Sequence, residues 1–171
     1  LEGNKIQEIC SSFSDGIVCV ANFNSPSQIV ISGDVKAVSS ASSAIKDAGA
    51  LKVVELNVSG AFHSPLMSKA KDALHEHLSN MEINDTSFPV YTNFSSEPVS
   101  LKAEIQLALL NQIENPVLWH DIIKRMFEDG INTAVEIGPS KVLQGLSKRI
   151  NRSLIMYGAE SYEDILNLNN V

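Results

Sequence analysis

Gly16-Ile17-Val18-Cys19-Val20-Ala21-Asn22-Phe23-Asn24-Ser25-Pro26-Ser27-Gln28-Ile29-Val30-Ile31-Ser32-Gly33 is the stretch from which the fold unfolds. Two runs rich in strand formers, Ile17 to Ala21 and Ile29 to Ile31, flank the turn residues Asn24 to Ser27, which predicts a β-hairpin with a four-residue connection. Upstream, Ile6, Ile9, Cys10 and Phe13 recur at spacings of three and four, the period of an amphipathic helix over 4–13. Downstream, Asp34 is placed to cap a helix that buries Val35, Val38, Ile45 and Ala48 and closes at Gly49. Leu51 to Val58, β-branched and bounded by Gly60, then reads as a third strand.

Residues 1–58 therefore spell α-β-β-α-β, one strand short of the βαββαβ ferredoxin-like plan. The missing element is the first strand, and a sheet without it keeps an unpaired edge or a slot. Together with an opening residue, Leu1, that is not methionine, this suggests that an amino-terminal segment is absent. Beyond Gly60 the pattern changes. Leu66, Met67, Ala70, Leu74 and Leu78 form a helical stripe, Phe88 to Tyr91 a short strand, and Leu101 to Ile113 and Val117 to Phe127 helices. Thr133 to Ile137 is a strand, and Lys141 to Ile150 a helix entered through Gly138-Pro139-Ser140. Alternating helix and strand predicts a parallel sheet, and two strands alone are too few to fill one. The fold class is α/β, with a small subdomain over 1–58 and part of a larger parallel-sheet subdomain over 59–171.

Of the 171 residues, 44% are apolar, enough to fill a core. No run approaches the roughly 18 apolar residues of a membrane span, and the first residues lack the layout of a signal peptide, so the expected setting is cytoplasmic with no membrane partner. A net charge of −7 argues against a nucleic-acid surface, which needs clustered cations. Cys10 and Cys19 fall on apolar positions and read as core thiols.

Four histidines are present. His75 and His77 sit two apart on a helix, point in different directions and have no partner at metal-ligand spacing; no metal is expected. His120 reads as packing or surface. His63 ends a loop after a predicted strand, in Gly60-Ala61-Phe62-His63-Ser64-Pro65-Leu66-Met67, where Ser64 can cap a helix and Pro65 can open it. An imidazole just before a helix N-terminus is disfavoured in its charged form, and a neutral ring is what a general base needs. A role in capping the helix is the other reading.

Asn22 to Gly33 closely resembles the hairpin of the malonyl-CoA:acyl-carrier-protein transacylases, and Phe62-His63-Ser64-Pro65-Leu66-Met67 resembles their histidine motif. Gln112 with Asn115-Pro116-Val117-Leu118-Trp119, and Glu136-Ile137-Gly138-Pro139-Ser140-Lys141-Val142-Leu143, resemble two further blocks in the same order. The same blocks occur in the acyltransferase domains of polyketide and fatty-acid synthases. The resemblance implies that 59–171 is the carboxy-terminal part of an α/β-hydrolase-like large subdomain. It also implies a two-step transfer in which a serine, activated by the histidine, takes the malonyl group from malonyl-CoA and passes it to acyl carrier protein. Malonyl-CoA is then a substrate, and no cofactor is expected. Carried over, His63 is the base and Gln112 supplies an oxygen, its backbone carbonyl, that holds the other ring nitrogen. Asn22 and Asn24 match cleft-lining positions, with hairpin-turn residues as the alternative. Phe62 matches a pattern that accompanies unbranched malonyl units, with simple packing as the alternative.

The departures are as informative. The chain contains no Gly-x-Ser-x-Gly, and the family's oxyanion-hole glutamine loop and malonyl-pairing arginine have no counterpart, so the chain alone is expected to be inactive. Lys141, Gly145, Lys148 and Arg152 share one helical face with Arg149 beside them, while Leu143, Leu146 and Ile150 turn inward. That face is either a solvated surface or a docking patch for acyl carrier protein or for coenzyme A phosphates, with Lys52 more distant. A fragment of a polyketide-synthase acyltransferase, and a noncatalytic module that binds carrier protein or a ligand, are the competing readings.

Overall fold

The computed structural model describes residues 1–168. Its first half is a β-hairpin with two helices on it. Helix α1 spans Gly3–Ser11, strand β1 Val18–Ser25, strand β2 Gln28–Gly33 and helix α2 Val35–Asp47. Ile6 and Cys10 of α1, Val18 and Val20 of β1, and Ala37, Ala41 and Ile45 of α2 form one buried cluster. Each fully buried branched side chain there contributes about 1.5–3 kcal/mol.

The hairpin differs from the expectation in a way that matters for the site. The strands run further toward the tip, so the connection is only Pro26-Ser27, and Asn22 and Asn24 are strand residues rather than turn residues. Gly33 is obligatory: a Cβ there would lie 2.0 Å from the Ile17 carbonyl oxygen, at φ +154°. Asp34 does sit at the N-cap of α2, but its side chain reaches back instead, accepting from Ile17 N at 2.7 Å. Val35 is 85% exposed and Ala48 is exposed; Ala37 and Ala41 replace them on the buried face.

The expected strand Leu51 to Val58 does not form. Residues 52–58 join no ladder, and Leu51, Val54, Leu56 and Val58 are exposed. Apolar alternation lets a segment be a strand, but only a neighbour makes it one, and none is present among the described residues.

The second half begins with a 3₁₀ turn, Pro65–Met67, that runs into α3, Ser68–Ser79. Val90–Tyr91 (β3) pairs antiparallel with Pro98–Val99 (β4), so the Phe88 to Tyr91 run belongs to a small hairpin and not to the parallel sheet. Helices α4 (Lys102–Gln112) and α5 (Trp119–Glu128) follow. The parallel pair is β5, Thr133–Ile137, with β6, Ile155–Ala159, a strand that the sequence reading passed over. Helix α6, Val142–Ile150, connects them, and α7, Tyr162–Asn167, ends the described chain. The two halves meet at β1, which contacts α1 and α2 as well as α5 and α6. No helix among the described residues is long and apolar enough to cross a membrane.

Candidate active site

His63 occupies an unusual backbone position. Its φ is 59°, a left-handed conformation that a side chain-bearing residue adopts only when its surroundings hold it there. The restraint comes from the next residue. Ser64 is fully buried; its hydroxyl donates to the Ala61 carbonyl oxygen and accepts from Leu66 N at 3.3 Å, while Pro65 opens the 3₁₀ turn. The expected cap is therefore made, and it leaves His63 itself free for another task.

The imidazole Nδ1 lies 2.9 Å from the backbone carbonyl oxygen of Gln112, the last residue of α4. A carbonyl can only accept, so Nδ1 carries a proton, and in the neutral ring the lone pair is on Nε2. The Gln112 side chain is also near Nδ1, at 3.3 Å, but its amide has a closer acceptor in the Asn115 carbonyl oxygen at 2.9 Å and a second in Pro116 at 3.3 Å. Those bonds fix the turn that follows α4. Asn115 tightens it further by donating to the Asn111 carbonyl oxygen at 2.7 Å. Lys71 of α3 pairs with Glu114 at 2.7 Å across the partly buried back of the turn.

The same turn is sewn to the hairpin. Phe23 N donates to the Val117 carbonyl oxygen at 2.8 Å, and Val117 N donates to that of Ala21 at 2.8 Å, a parallel bridge on the outer edge of β1. Gln112, Asn115 and Val117 thus form one bracket that holds the histidine at one end and β1 at the other.

His63 is half-buried and lines an open cavity of about 240 Å³ with Gln7, Cys10, Cys19, Phe23, Glu114 and Asn115 among its walls. Burial pushes the Cys10 thiol up to about 11, with Cys19 nearby adding to the effect, and burial raises Cys19 as well. Both stay protonated at neutral pH, and neither is an activated nucleophile. Ser64 is spent on its cap. Ser11, also in the lining, donates its hydroxyl to the Gln7 carbonyl oxygen at 2.9 Å, so the site holds an oriented imidazole and, among the described residues that line it, no activated nucleophile.

The other expected site residues are distributed around it. Asn22 and Asn24 are half-buried on β1, and neither lines the His63 cavity, whereas Phe23 between them does. Phe62 is 47% exposed and adjoins the histidine. Lys141, Gly145, Lys148 and Arg152 line a single groove of about 460 Å³ with Gln144, Leu154 and Met156. Arg149 is set apart from them: its guanidinium donates to Gln28 Oε1 at 3.1 Å, tying α6 to the hairpin.

Glu136 is the residue whose role sequence reasoning missed, although it lies within a quoted block. Buried on β5, it accepts from Ser140 Oγ at 3.1 Å and from Leu143 N and Gln144 N at 3.0 Å each, the unpaired donors of the first turn of α6. Burial by itself would raise its pKa, but these bonds outweigh it and hold the carboxyl below the usual range. Its place just ahead of a Gly-Pro-Ser helix entrance was the available signal.

The acyl transferase domain model matches residues 3–164. The chain belongs to the acyl transferase family. Curated relatives include the malonyl CoA-acyl carrier protein transacylase of Bacillus subtilis, 44% identical over 81% of this chain and 44% of that protein. That of Haemophilus influenzae is 37% identical over 100% of this chain and 54% of that protein. Among solved structures, a malonyl transacylase in complex with a type II polyketide-synthase acyl-carrier protein superposes with a TM-score of 0.94 at 36% identity, covering 100% of this chain and 56% of that one. The acyl-carrier-protein S-malonyltransferase of Vibrio cholerae gives 0.94 at 34% identity, over 98% and 55%. The chain spans about half the length of the relatives it matches.

Proposed function

We propose that this acyl transferase chain is the histidine-bearing, carboxy-terminal part of an enzyme that moves a malonyl group from coenzyme A to acyl carrier protein in fatty-acid synthesis. One observation carries the reading: Nδ1 of His63 is committed to the Gln112 carbonyl at 2.9 Å, which leaves Nε2 as the ring's basic position beside an open cavity. In the proposed cycle a serine on polypeptide outside this chain gives its proton to Nε2 as its oxygen attacks the malonyl thioester carbonyl. The C–S bond breaks, and coenzyme A leaves as a thiol with the proton that His63 returns. The carrier's thiol then gives its proton to Nε2, its sulfur attacks the serine ester, and the serine oxygen recovers the proton.

In this reading Gln112 keeps the ring in the useful tautomer, Phe62 borders the acyl group, and Asn22 and Asn24 line the cleft toward the large subdomain. The contacts that β1, the strand carrying both, makes with α5 and α6 support the cleft role. The hairpin with α1 and α2 corresponds to a ferredoxin-like small subdomain over 1–58, and 59–171 to part of the large one. The groove of Lys141, Lys148 and Arg152 is suited to an acidic carrier protein or to coenzyme A phosphates, with Arg149, tied to Gln28, an outlying member of the patch. Malonyl-CoA is a substrate, no cofactor is needed, and a cytoplasmic setting fits two cysteines that are free. The likeness to a transacylase bound to a polyketide-synthase carrier favours one variant, in which the carrier serves polyketide synthesis.

The test is reconstitution. Supplied with the remaining part of the family's length, this chain should transfer malonyl to acyl carrier protein, and His63→Ala should abolish the transfer. Full activity of the His63→Ala enzyme would overturn the proposal.

A further inference from the structure

Helix α3 packs on α4 along a face that is not wholly apolar. Met67, just ahead of the helix, and Lys71, Leu74 and Leu78 follow one another at spacings of four, three and four. They are the covered positions of a segment whose other residues, 68–70, 72–73 and 75–77, are exposed. Ala70, expected in that stripe, lies outside it, and Lys71 takes its place. A lysine in an apolar line either carries its ammonium out to water or meets an acid. Lys71 does the second: its Nζ lies 2.7 Å from Glu114 Oε2, with the two side chains 31% and 22% exposed.

Stability does not account for such a pair. Desolvation offsets much of its attraction, and two apolar side chains of similar volume would hold α3 to the turn after α4 about as well. The position of the acid supplies a different reason. Glu114 lines the His63 cavity and is the one carboxylate among the described residues that do. It stands two residues beyond Gln112, whose carbonyl oxygen accepts from the ring at 2.9 Å. Among the described residues its carboxylate has Lys71 as its one side-chain partner, and Lys71 lies outside the cavity lining.

We propose that Lys71 is a positioning residue: it keeps the Glu114 carboxylate neutralised at the wall of the His63 cavity, so that the cavity admits an anionic acyl group and leaves the imidazole free to accept a proton. The acyl half of this rests on the malonyl-transfer reading, whereas the ring half needs only this chain. A malonyl group brings its own carboxylate, and like charges repel more strongly in a partly buried site than in water. An uncompensated Glu114 also favours the imidazolium, which cannot take the proton of a nucleophile. The other titratable groups among the described lining residues are the Cys10 thiol from α1 and the Cys19 thiol from β1, both uncharged at neutral pH.

The test compares Lys71→Met, which keeps the stem and removes the charge, with Lys71→Arg, which keeps the charge, and with Lys71→Met combined with Glu114→Gln, which removes both charges. In the 171-residue chain, histidine NMR should place the half-titration of the His63 ring at least about 0.3 pH units higher in Lys71→Met than in wild type. Lys71→Arg and the double variant should return it to the wild-type position. Glu114→Gln alone leaves Lys71 as the unpaired charge and should move the midpoint the opposite way, which loss of a contact cannot do. In the reconstituted enzyme Lys71→Met should raise KM for malonyl-CoA at least about fivefold, and the double variant should restore it. A merely structural pair would give a double variant no better than Lys71→Met, because the same contact is lost in both. That result, a ring midpoint indifferent to Lys71→Met, or shifts of the same sign in Lys71→Met and Glu114→Gln would overturn the proposal. An unchanged KM beside a shifted ring would overturn its acyl half. If the reconstituted wild type transfers no malonyl group while the ring responds as expected, the proposed function falls and the role of Lys71 at the ring stands.

Discussion

The bracket around His63 and the segment 51–58 differ in kind. In the bracket every element is held by partners present in the chain: the ring by Gln112, the Gln112 amide by Asn115, and Val117 by β1. In 51–58 the apolar side chains are exposed and the backbone joins no ladder. The difference teaches that a histidine ring can be oriented by a hydrogen bond to a residue 49 positions away while an apolar segment a few residues before it joins no ladder. One well-placed acceptor orients a ring; a strand needs a neighbour along its length.

The largest break in that comparison is expected at the ring. In the reconstituted enzyme, His63→Ala should lower kcat/KM by about 10²–10⁴-fold with little change in the thermal stability of the chain, measured by malonyl transfer and by melting. A comparable loss of stability would mean that the bracket, and not the base, had been removed.

Next in size is Glu136. Glu136→Ala should destabilise the chain by about 3 kcal/mol, because it strands three donors at the start of α6. The pH dependence has a definite sign. A carboxyl whose pKa is depressed by folding contributes fully above its unfolded value, 4.5, and the contribution is lost as the pH falls through the lower folded value. Urea midpoints of wild type and Glu136→Gln should therefore converge as the pH is lowered below about 4.5; a constant separation would contradict the account.

A third test contrasts two strands directly. Val20→Pro, inside the ladder of β1 and only 5% exposed, should cost about 3 kcal/mol or more, whereas Val54→Pro should stay within about 0.5 kcal/mol, as read by denaturant unfolding. Equal costs would show that 52–58 already has a partner in the chain.

The smallest effect is expected at the groove. Lys148→Glu in the reconstituted enzyme should raise KM for acyl carrier protein several-fold, leave malonyl loading unchanged and reduce the salt dependence of KM. An unchanged KM would make the groove a solvated face.

Much of this was legible in the residues. The hairpin, the main helices and the Ser64-Pro65 start of the turn after His63 follow from strand formers and the 3.6-residue period, all set by contacts within a few residues, whereas the base role of His63 rests on the family resemblance and stands as a proposal. The rest was not legible because it depends on tertiary partners. Residues 51–58 have the composition of a strand and no neighbour; Phe88 to Tyr91 pairs with Pro98–Val99 rather than with the parallel sheet. Val35 has the right period, but it begins α2 beyond the reach of the hairpin. The strand Ile155–Ala159 was readable from Leu154-Ile155-Met156-Tyr157, and the Ser161 capping box marked the helix after it. That Cys10 and Cys19 line the His63 cavity, and that Glu136 anchors α6, are facts of packing that no spacing rule delivers.

Exposure of this chain by itself to labelled malonyl-CoA, followed by intact-mass measurement, tests the central claim most directly. The account predicts an unmodified mass, with label accumulating on a serine only after the remaining polypeptide is added. A stable malonyl adduct on the isolated chain would contradict it.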